Sequence, residues 1–362
     1  MASETTWQEI GARLGEARRA VNLTQGEFAA RVGLERTVVS KVETGARRVG
    51  ALELTRMADV LGLPVDHFLV APAPVLSNRQ PLLEEDESAA TKSAFRVQAV
   101  LGAWLRDVRQ LLDVGVLAQE PLWSYPHQVN GAESYRQAAQ WVRERMNVPI
   151  QPLGSMAVVC AAAGQWPLVT EIPGDGASLI DGDVAASVIS LRGDPGRRRA
   201  TAAHELGHMV MGDAYSNDLG VHASAEEREK AIEVFAAELL LPLSVISSTW
   251  SSMESGRNQL IELAAKYRVS WSLALGQAER AEVIDSTERR ALTARNPTRA
   301  EFMQAIGWAP EPDLSTVRIA PKYADAVISA FRQGAISRAR AAEMMHGQVH
   351  LEDLPSEEEA NI

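Results

Sequence analysis

The stretch Thr201-Ala202-Ala203-His204-Glu205-Leu206-Gly207-His208-Met209-Val210-Met211 constrains the chain more than any other. Positions i and i+4 of a helix share a face, so His204 and His208 can point at one ion. Two imidazoles at that spacing suit Zn²⁺, which takes nitrogen ligands in a tetrahedral shell. Glu205 follows the first histidine and can face the same cleft, where it would move a proton to or from a reacting group. Ala202, Ala203, Leu206, Met209, Val210 and Met211 give the helix a small apolar back, as a helix between a sheet and a cleft needs. Gly212-Asp213 ends it. Taken alone, the five-residue pattern also suits an ordinary amphipathic helix, so its context decides.

A catalytic zinc needs a third protein ligand and an open fourth position. The next helical stretch, Glu226 to Pro242, offers Glu229 and Glu233 one turn apart, with Glu226 nearby. One carboxylate can ligate the ion while another holds the free nitrogen of a ligating histidine.

His204-Glu205-Leu206-Gly207-His208, then Glu229, then Phe235-Ala236-Ala237-Glu238-Leu239-Leu240-Leu241-Pro242 resemble the ImmA/IrrE family of zinc metallopeptidases. That resemblance implies Glu229 as third ligand, Glu233 as the carboxylate supporting a ligand, and Glu205 as the catalytic acid/base. It also implies a zincin-like fold. The sequence departs from the family at Ala200, where Phe is usual, and at Ala231-Ile232; both are packing positions.

With 362 residues, the chain has room for two or three domains. No stretch reaches the length of a transmembrane helix, and Met1-Ala2-Ser3-Glu4 carries no secretion pattern. The single cysteine, Cys160, lies in an apolar run and is expected as a buried helix residue. A reducing, cytoplasmic home follows, with no membrane partner. A net charge of −11 argues against broad nucleic-acid binding by the whole chain, though not against a small module with a local basic edge.

From Trp7 to Leu69 the pattern is helical. Ile10, Leu14, Ala17, Ala20 and Val21 form a first apolar face. Thr24 with Glu27 three residues on reads as a capping box. Gly33 breaks that helix and a second runs from Leu34 to Glu43, the helix-turn-helix arrangement. Leu23-Thr24-Gln25, Ala29, Gly33-Leu34, Val39-Ser40, Glu43-Thr44-Gly45 and Leu61-Gly62-Leu63 resemble the Cro/lambda-repressor (Xre) type of DNA-binding domain. The resemblance implies that Gln25 touches the DNA backbone, that Arg36, Thr37, Ser40 and Lys41 face the major groove, and that Arg47 meets a phosphate. It also implies operator DNA as a partner of residues 1–70 and paired binding as a possible homodimer. Charges over residues 1–70 balance, so a helix-turn-helix serving protein contact alone stays open.

Residues 71–92 turn to Pro, Ser and acidic residues and read as a linker. Helical period returns over Phe95–Leu117. Helices are expected over Tyr135–Met146 and Pro152–Ala163, and strands over Pro167–Glu171 and Ala185–Leu191. One of those strands should border the cleft, because such peptidases grip an extended substrate along a sheet edge. Arg197-Arg198-Arg199 read as surface charges. Tyr215 and His222 follow the motif without a fixed direction. Beyond Pro242 the chain is mostly helical. The expected fold class is α+β, mainly α with a small β-sheet: a helix-turn-helix domain (1–70), a linker (71–92), a metallopeptidase domain (93–245) and a helical C-terminal region (246–362).

The resulting expectation is a zinc endopeptidase with a DNA-binding domain, cleaving a repressor-type protein partner. The alternative is a DNA-binding regulator whose peptidase-like region senses metal or a partner without cutting anything.

Overall fold

Thr6 and Thr24 open the first two helices in the same way. Each hydroxyl accepts the backbone N–H three residues on, and Glu9 or Glu27 accepts the N–H of the capping threonine. The computed structural model describes residues 5–63, 65–69, 75–79, 87–212, 222–251, 253, 255–307, 312–315 and 318–356. Helices α1 (Trp7–Ala20), α2 (Gln25–Val32), α3 (Arg36–Glu43), α4 (Ala51–Leu61) and α5 (Asp66–Leu69) form an N-terminal bundle. Leu14, Ala17, Phe28, Val39, Met57 and Phe68 are buried at its centre. Gly33, at φ 71°, makes the left-handed turn between α2 and α3 that a residue with a Cβ adopts only under strain.

A strand, β1 (Val75–Arg79), and a long helix, α6 (Glu87–Val114), follow. Next come α7 (Ala132–Arg145), α8 (Met156–Ala162), β2 (Gln165–Thr170), β3 (Gly176–Asp181) and β4 (Val184–Ser190). The strands form a four-stranded sheet in the order β1-β3-β4-β2. Neighbours β1–β3 and β3–β4 are antiparallel, and β2–β4 is parallel. Gly182-Asp183 is the two-residue turn of the β3–β4 hairpin, with Asp181 paired to Val184.

Helix α9 (Pro195–Met211) crosses one face of the sheet. Its start is fixed by Asp194, which accepts the Arg197 N–H at 3.0 Å, and by Pro195 in the first turn; Gly212, at φ 69°, ends it. Helices α10 (His222–Leu240), α11 (Leu243–Thr249), α12 (Gly256–Tyr267) and α13 (Trp271–Arg280) complete the layer beyond α9. Leu206, Met209, Phe235, Leu239, Ala264 and Ala274 share one core there with α7 and α8. After α14 (Ser286–Thr293) and α15 (Arg299–Ile306), α16 (Pro321–Arg332) and α17 (Arg338–Met344) return to the opposite face of the sheet. Trp104, Leu179, Val188, Tyr323 and Phe331 pack together there, under α6.

The architecture is mainly α with a small sheet. Two details differ from the sequence expectations. The segment 71–92 supplies β1 and the start of α6. A short strand among prolines carries little periodic signal of its own, and it is the hydrogen-bonding edge of β3 that gives it a place. The region after residue 245 is not set apart, because α12 and α13 share the α9 core and α16 shares the α6 core. The acidic run from Glu84 to Asp86 and the acidic end beyond Ser356 lie outside the described residues. Among the described residues no single helix is long and apolar enough to cross a membrane.

Candidate metal centre and helix-turn-helix face

His204 and His208 project from adjacent turns of α9, and Glu229 reaches them from α10. His204 Nε2 lies 3.1 Å from His208 Nε2 and 3.1 Å from Glu229 Oε2, and His208 Nε2 lies 3.5 Å from Glu229 Oε1. A tetrahedral zinc with bonds of about 2.0–2.2 Å holds neighbouring ligand atoms about 3.3–3.5 Å apart. The three groups therefore have both the donor chemistry and the spacing for such an ion. Both imidazoles are buried, while the Glu229 side chain is 38% exposed, so the cluster has a solvent side. Burial opposes ionisation of Glu229, but hydrogen bonds and charge from His204 and His208 outweigh it and hold the carboxyl below the usual range.

Glu229 reaches this place because α10 lies close to α9. Gly207 is the reason: a Cβ there would stand 2.8 Å from Phe235 Cδ1 and 3.2 Å from Ile232 Cγ2. Phe235 and Ile232 are fully buried on it.

Glu205 is also fully buried, and it turns toward the sheet. Ser178 Oγ of β3 donates to its Oε2 at 2.7 Å. The Gln165 side chain of β2 donates to its main-chain carbonyl at 3.0 Å. A Cβ on Gly176 would stand 2.6 Å from Thr201 Cγ2 and 3.3 Å from Glu205 Oε1, so a bare backbone is needed where β3 passes the carboxylate. Sequence reasoning missed Gly176, Ser178 and Gln165. It placed no strand between Glu171 and Ala185, where β3 lies. The Gly182-Asp183 turn ahead of an apolar run was the signal available. Ser178 of β3 thus holds the Glu205 carboxylate, and Gln165 of β2 holds its main chain.

Glu233 is exposed on the wall of a groove that begins at His204. The groove encloses about 460 Å³ between α9 and α13, and Asp194, Arg197, Ser270 and Arg280 also line it. Tyr215 and the side chain of His222 lie outside the described residues.

Of the three arginines opening α9, Arg197 is exposed as expected, while Arg198 and Arg199 are buried. Arg197 makes two bonds to Asp175, at 2.7 and 3.0 Å. Arg198 donates to the Leu191 and Gly193 carbonyls. Arg199 is wholly buried, paired with Asp313 and bonded to the Gly154 and Leu153 carbonyls. These heads satisfy carbonyls and two carboxylates around the start of α9, so they are structural. Cys160 is buried as expected, and burial pushes its thiol pKa up, away from any nucleophilic role.

In the N-terminal bundle, Arg36, Thr37 and Lys41 are exposed on α3 and Ser40 is half-buried. Gln25 is turned inward: its amide donates to Glu43 Oε2 at 2.8 Å, and Glu43 also receives the largely buried Arg18. Arg47 pairs with Glu53 at 2.9 Å.

Residues 9–68 match the family described as helix-turn-helix domain, and residues 188–276 match the family described as IrrE N-terminal-like domain, a peptidase family. The chain joins a helix-turn-helix domain to an IrrE-like domain. The match to the IrrE-like domain starts within β4 and ends in α13, so it takes in α9, α10 and all three cluster residues. No curated protein matches the chain. The crystal structure of Bacillus thuringiensis PlcR in complex with the peptide PapR7 and DNA aligns with 93% of this chain and 80% of that one. Identity is 10% and the TM-score 0.18, a likeness too slight to bear on the IrrE-like domain or its site.

Proposed function

We propose that this chain is a zinc-dependent endopeptidase that binds DNA through its helix-turn-helix domain and cleaves a repressor-type protein partner in the cytoplasm. Its setting would be transcriptional regulation or a stress or phage response. The observation that carries this reading is the convergence of His204, His208 and Glu229 from two helices, beside a buried glutamate.

His204, His208 and Glu229 would hold the ion, which when bound supplies a Lewis acid for the scissile carbonyl and a water of lowered pKa. Glu205 takes a proton from the attacking water and hands it to the leaving amine. Ser178 fixes one oxygen of that carboxylate, which limits its rotation and aims the other. A purely structural ion has no need of Glu205, which favours hydrolysis over sensing alone. Exposed Arg36, Thr37 and Lys41 supply the polar and cationic face that base edges and phosphates require. Pairing of two chains on two half-sites fits this type of domain.

Two measurements test the reading together: the zinc content of the purified chain, and its cleavage of repressor-type proteins encoded beside it. Wild type should carry about one zinc, as three protein ligands to a single ion imply, and should cut its partner. His204→Ala should lose the metal, and Glu205→Gln should keep it while losing cleavage. Equal cleavage by wild type and Glu205→Gln would remove the proposed mechanism.

A further inference from the structure

The sheet presents its most reactive neighbour at β3. Ser178 and Gly176 face α9 and touch Glu205 or its surroundings, while Ala177 and Leu179 face the core under α6. A strand on the outer edge of β3 lies one interstrand spacing, about 4.8 Å, from the strand whose Ser178 holds Glu205. The opposite edge of the sheet is partly taken. Val169 N–H donates to the Arg318 carbonyl at 2.7 Å, and Leu168 bridges Ile319.

In this chain the β3 edge is filled from within. Strand β1 pairs antiparallel with it, Ser77 opposite Ser178, Asn78 opposite Ala177 and Arg79 opposite Gly176, with an irregularity between Val75 and Ser77. β1 comes from the short segment joining the helix-turn-helix domain to α6, and α9 packs against it as well as against β3.

We propose that the outer edge of β3 is the docking site for an extended peptide strand, and that β1 is its resident occupant, so that a protein substrate gains the edge only when β1 leaves. The inference rests on the peptidase reading for its meaning but not for its test. Three features support it. The pairing is antiparallel main-chain bonding, which recognises an extended segment with little regard to its sequence. The occupied register runs past the residues that hold Glu205. The occupant is short, at five residues, and irregular, and a short bulged strand is held by fewer ladder bonds than a regular one. A tethered strand competes at an effective concentration of about millimolar, so it excludes weaker strands in trans while remaining displaceable.

The test uses the full chain with Glu205→Gln, loaded with zinc, so that binding is read without hydrolysis. In one variant, residues 75–79 are replaced by a Gly-Ser segment of equal length. A labelled peptide with the sequence of residues 73–81 is the probe, followed by anisotropy and by amide exchange. The replaced chain should bind the peptide at least tenfold more tightly than the chain with β1 intact, and the peptide should protect the Gly176 and Ser178 amides, which point to the β1 edge while their neighbours bond to β4. Core amides of α9 serve as the folding control. A second variant, Asn78→Cys with Ala177→Cys, locks β1 in place; the only other thiol, Cys160, is buried. Oxidation should abolish peptide binding and reduction should restore it. Equal binding to the intact, locked and replaced chains would overturn the proposal, as would a folded, replaced chain whose Gly176 and Ser178 amides stay protected without peptide. Absence of proteolysis in the same variants with Glu205 restored, with the binding pattern intact, would count against the peptidase reading alone.

Discussion

Gly207 of α9 lies against the Phe235 ring of α10 with no space for a methyl group: a Cβ would stand 2.8 Å from Cδ1. The contact sets how near α10 comes to α9, and Glu229 sits on α10 one turn before Ile232, which packs on the same glycine. Gly207→Ala must push the helices apart or force the ring aside, at about 1–3 kcal/mol. The expected outcome is a folded chain with zinc affinity weakened by tenfold or more, because Glu229 moves away from His204 and His208. Metal titration by competition with a chromophoric chelator measures it. Unchanged affinity would mean that the α9–α10 spacing does not govern the site.

Ser178→Ala leaves the three cluster residues alone and removes the donor to Glu205 Oε2. A hydrogen bond to a charged group is worth about 1.5–3 kcal/mol. The expected result is kcat lowered by roughly tenfold to a hundredfold, at about 1.4 kcal/mol per factor of ten. KM and zinc content should hold, since Ser178 positions Glu205 and is not among the residues proposed to hold the ion. A KM rise with unchanged kcat would instead point to substrate contact by the strand.

How far the sequence reaches is clear from these two residues. Gly207 stands inside a motif that is plain in the sequence, and so do His204, His208 and Glu205, because helical spacing alone puts them on neighbouring faces. Glu229 came through the resemblance, and the cluster geometry brings it to both histidines. Ser178 was invisible because β3 lies between Gly-rich turns and its apolar alternation spans only a few residues. β1 was invisible for a stronger reason: a lone edge strand is defined by its partner, and no local pattern states that β3 has an open edge. Arg198 and Arg199, expected at the surface but buried, show the same limit. Arg199 is buried only because Asp313, more than a hundred residues on, returns to meet it. Gln25 and Arg47 show it on the helix-turn-helix face, where Glu43 and Glu53 claim side chains that the resemblance directs at DNA.

The Arg199–Asp313 pair predicts a stability effect. Asp313 accepts from the Ser155 hydroxyl at 2.7 Å and the Met156 N–H at 2.9 Å, which caps α8. Burial opposes its ionisation, but Arg199 and these donors outweigh it and hold the carboxyl below the ordinary range. Its contribution is therefore complete above the unfolded-state pKa and is lost as pH falls through the lower folded value. Arg199→Met strands a buried carboxylate and should cost about 3–5 kcal/mol, read by urea denaturation at neutral pH. Adding Asp313→Leu should recover much of that loss. If the double variant is no more stable than the single, the penalty does not arise from the stranded charge.

Arg47 and Glu53 give the prediction for the nucleic-acid face. The resemblance directs Arg47 at a phosphate, yet its guanidinium lies 2.9 Å from the Glu53 carboxylate, which also caps α4 through the Gly50 N–H. Hydrogen bonds from Arg47 and Gly50 hold Glu53 below the usual carboxylate range, so its carboxylate competes with a DNA phosphate for the Arg47 guanidinium. Glu53→Gln keeps an acceptor for the cap, weakens the hold on Arg47 and removes a negative charge facing DNA. Its affinity for a mixed-sequence duplex should rise severalfold. Arg47→Ala should weaken binding, and the slope of log K against log salt should fall by about 0.9, the share of one phosphate contact. Gln25→Ala should leave that slope alone and lower the melting temperature of the helix-turn-helix domain, since the Gln25 amide is spent on Glu43. A salt slope unaffected by Arg47→Ala, together with one reduced by Gln25→Ala, would reverse these two assignments and return Gln25 to the DNA surface.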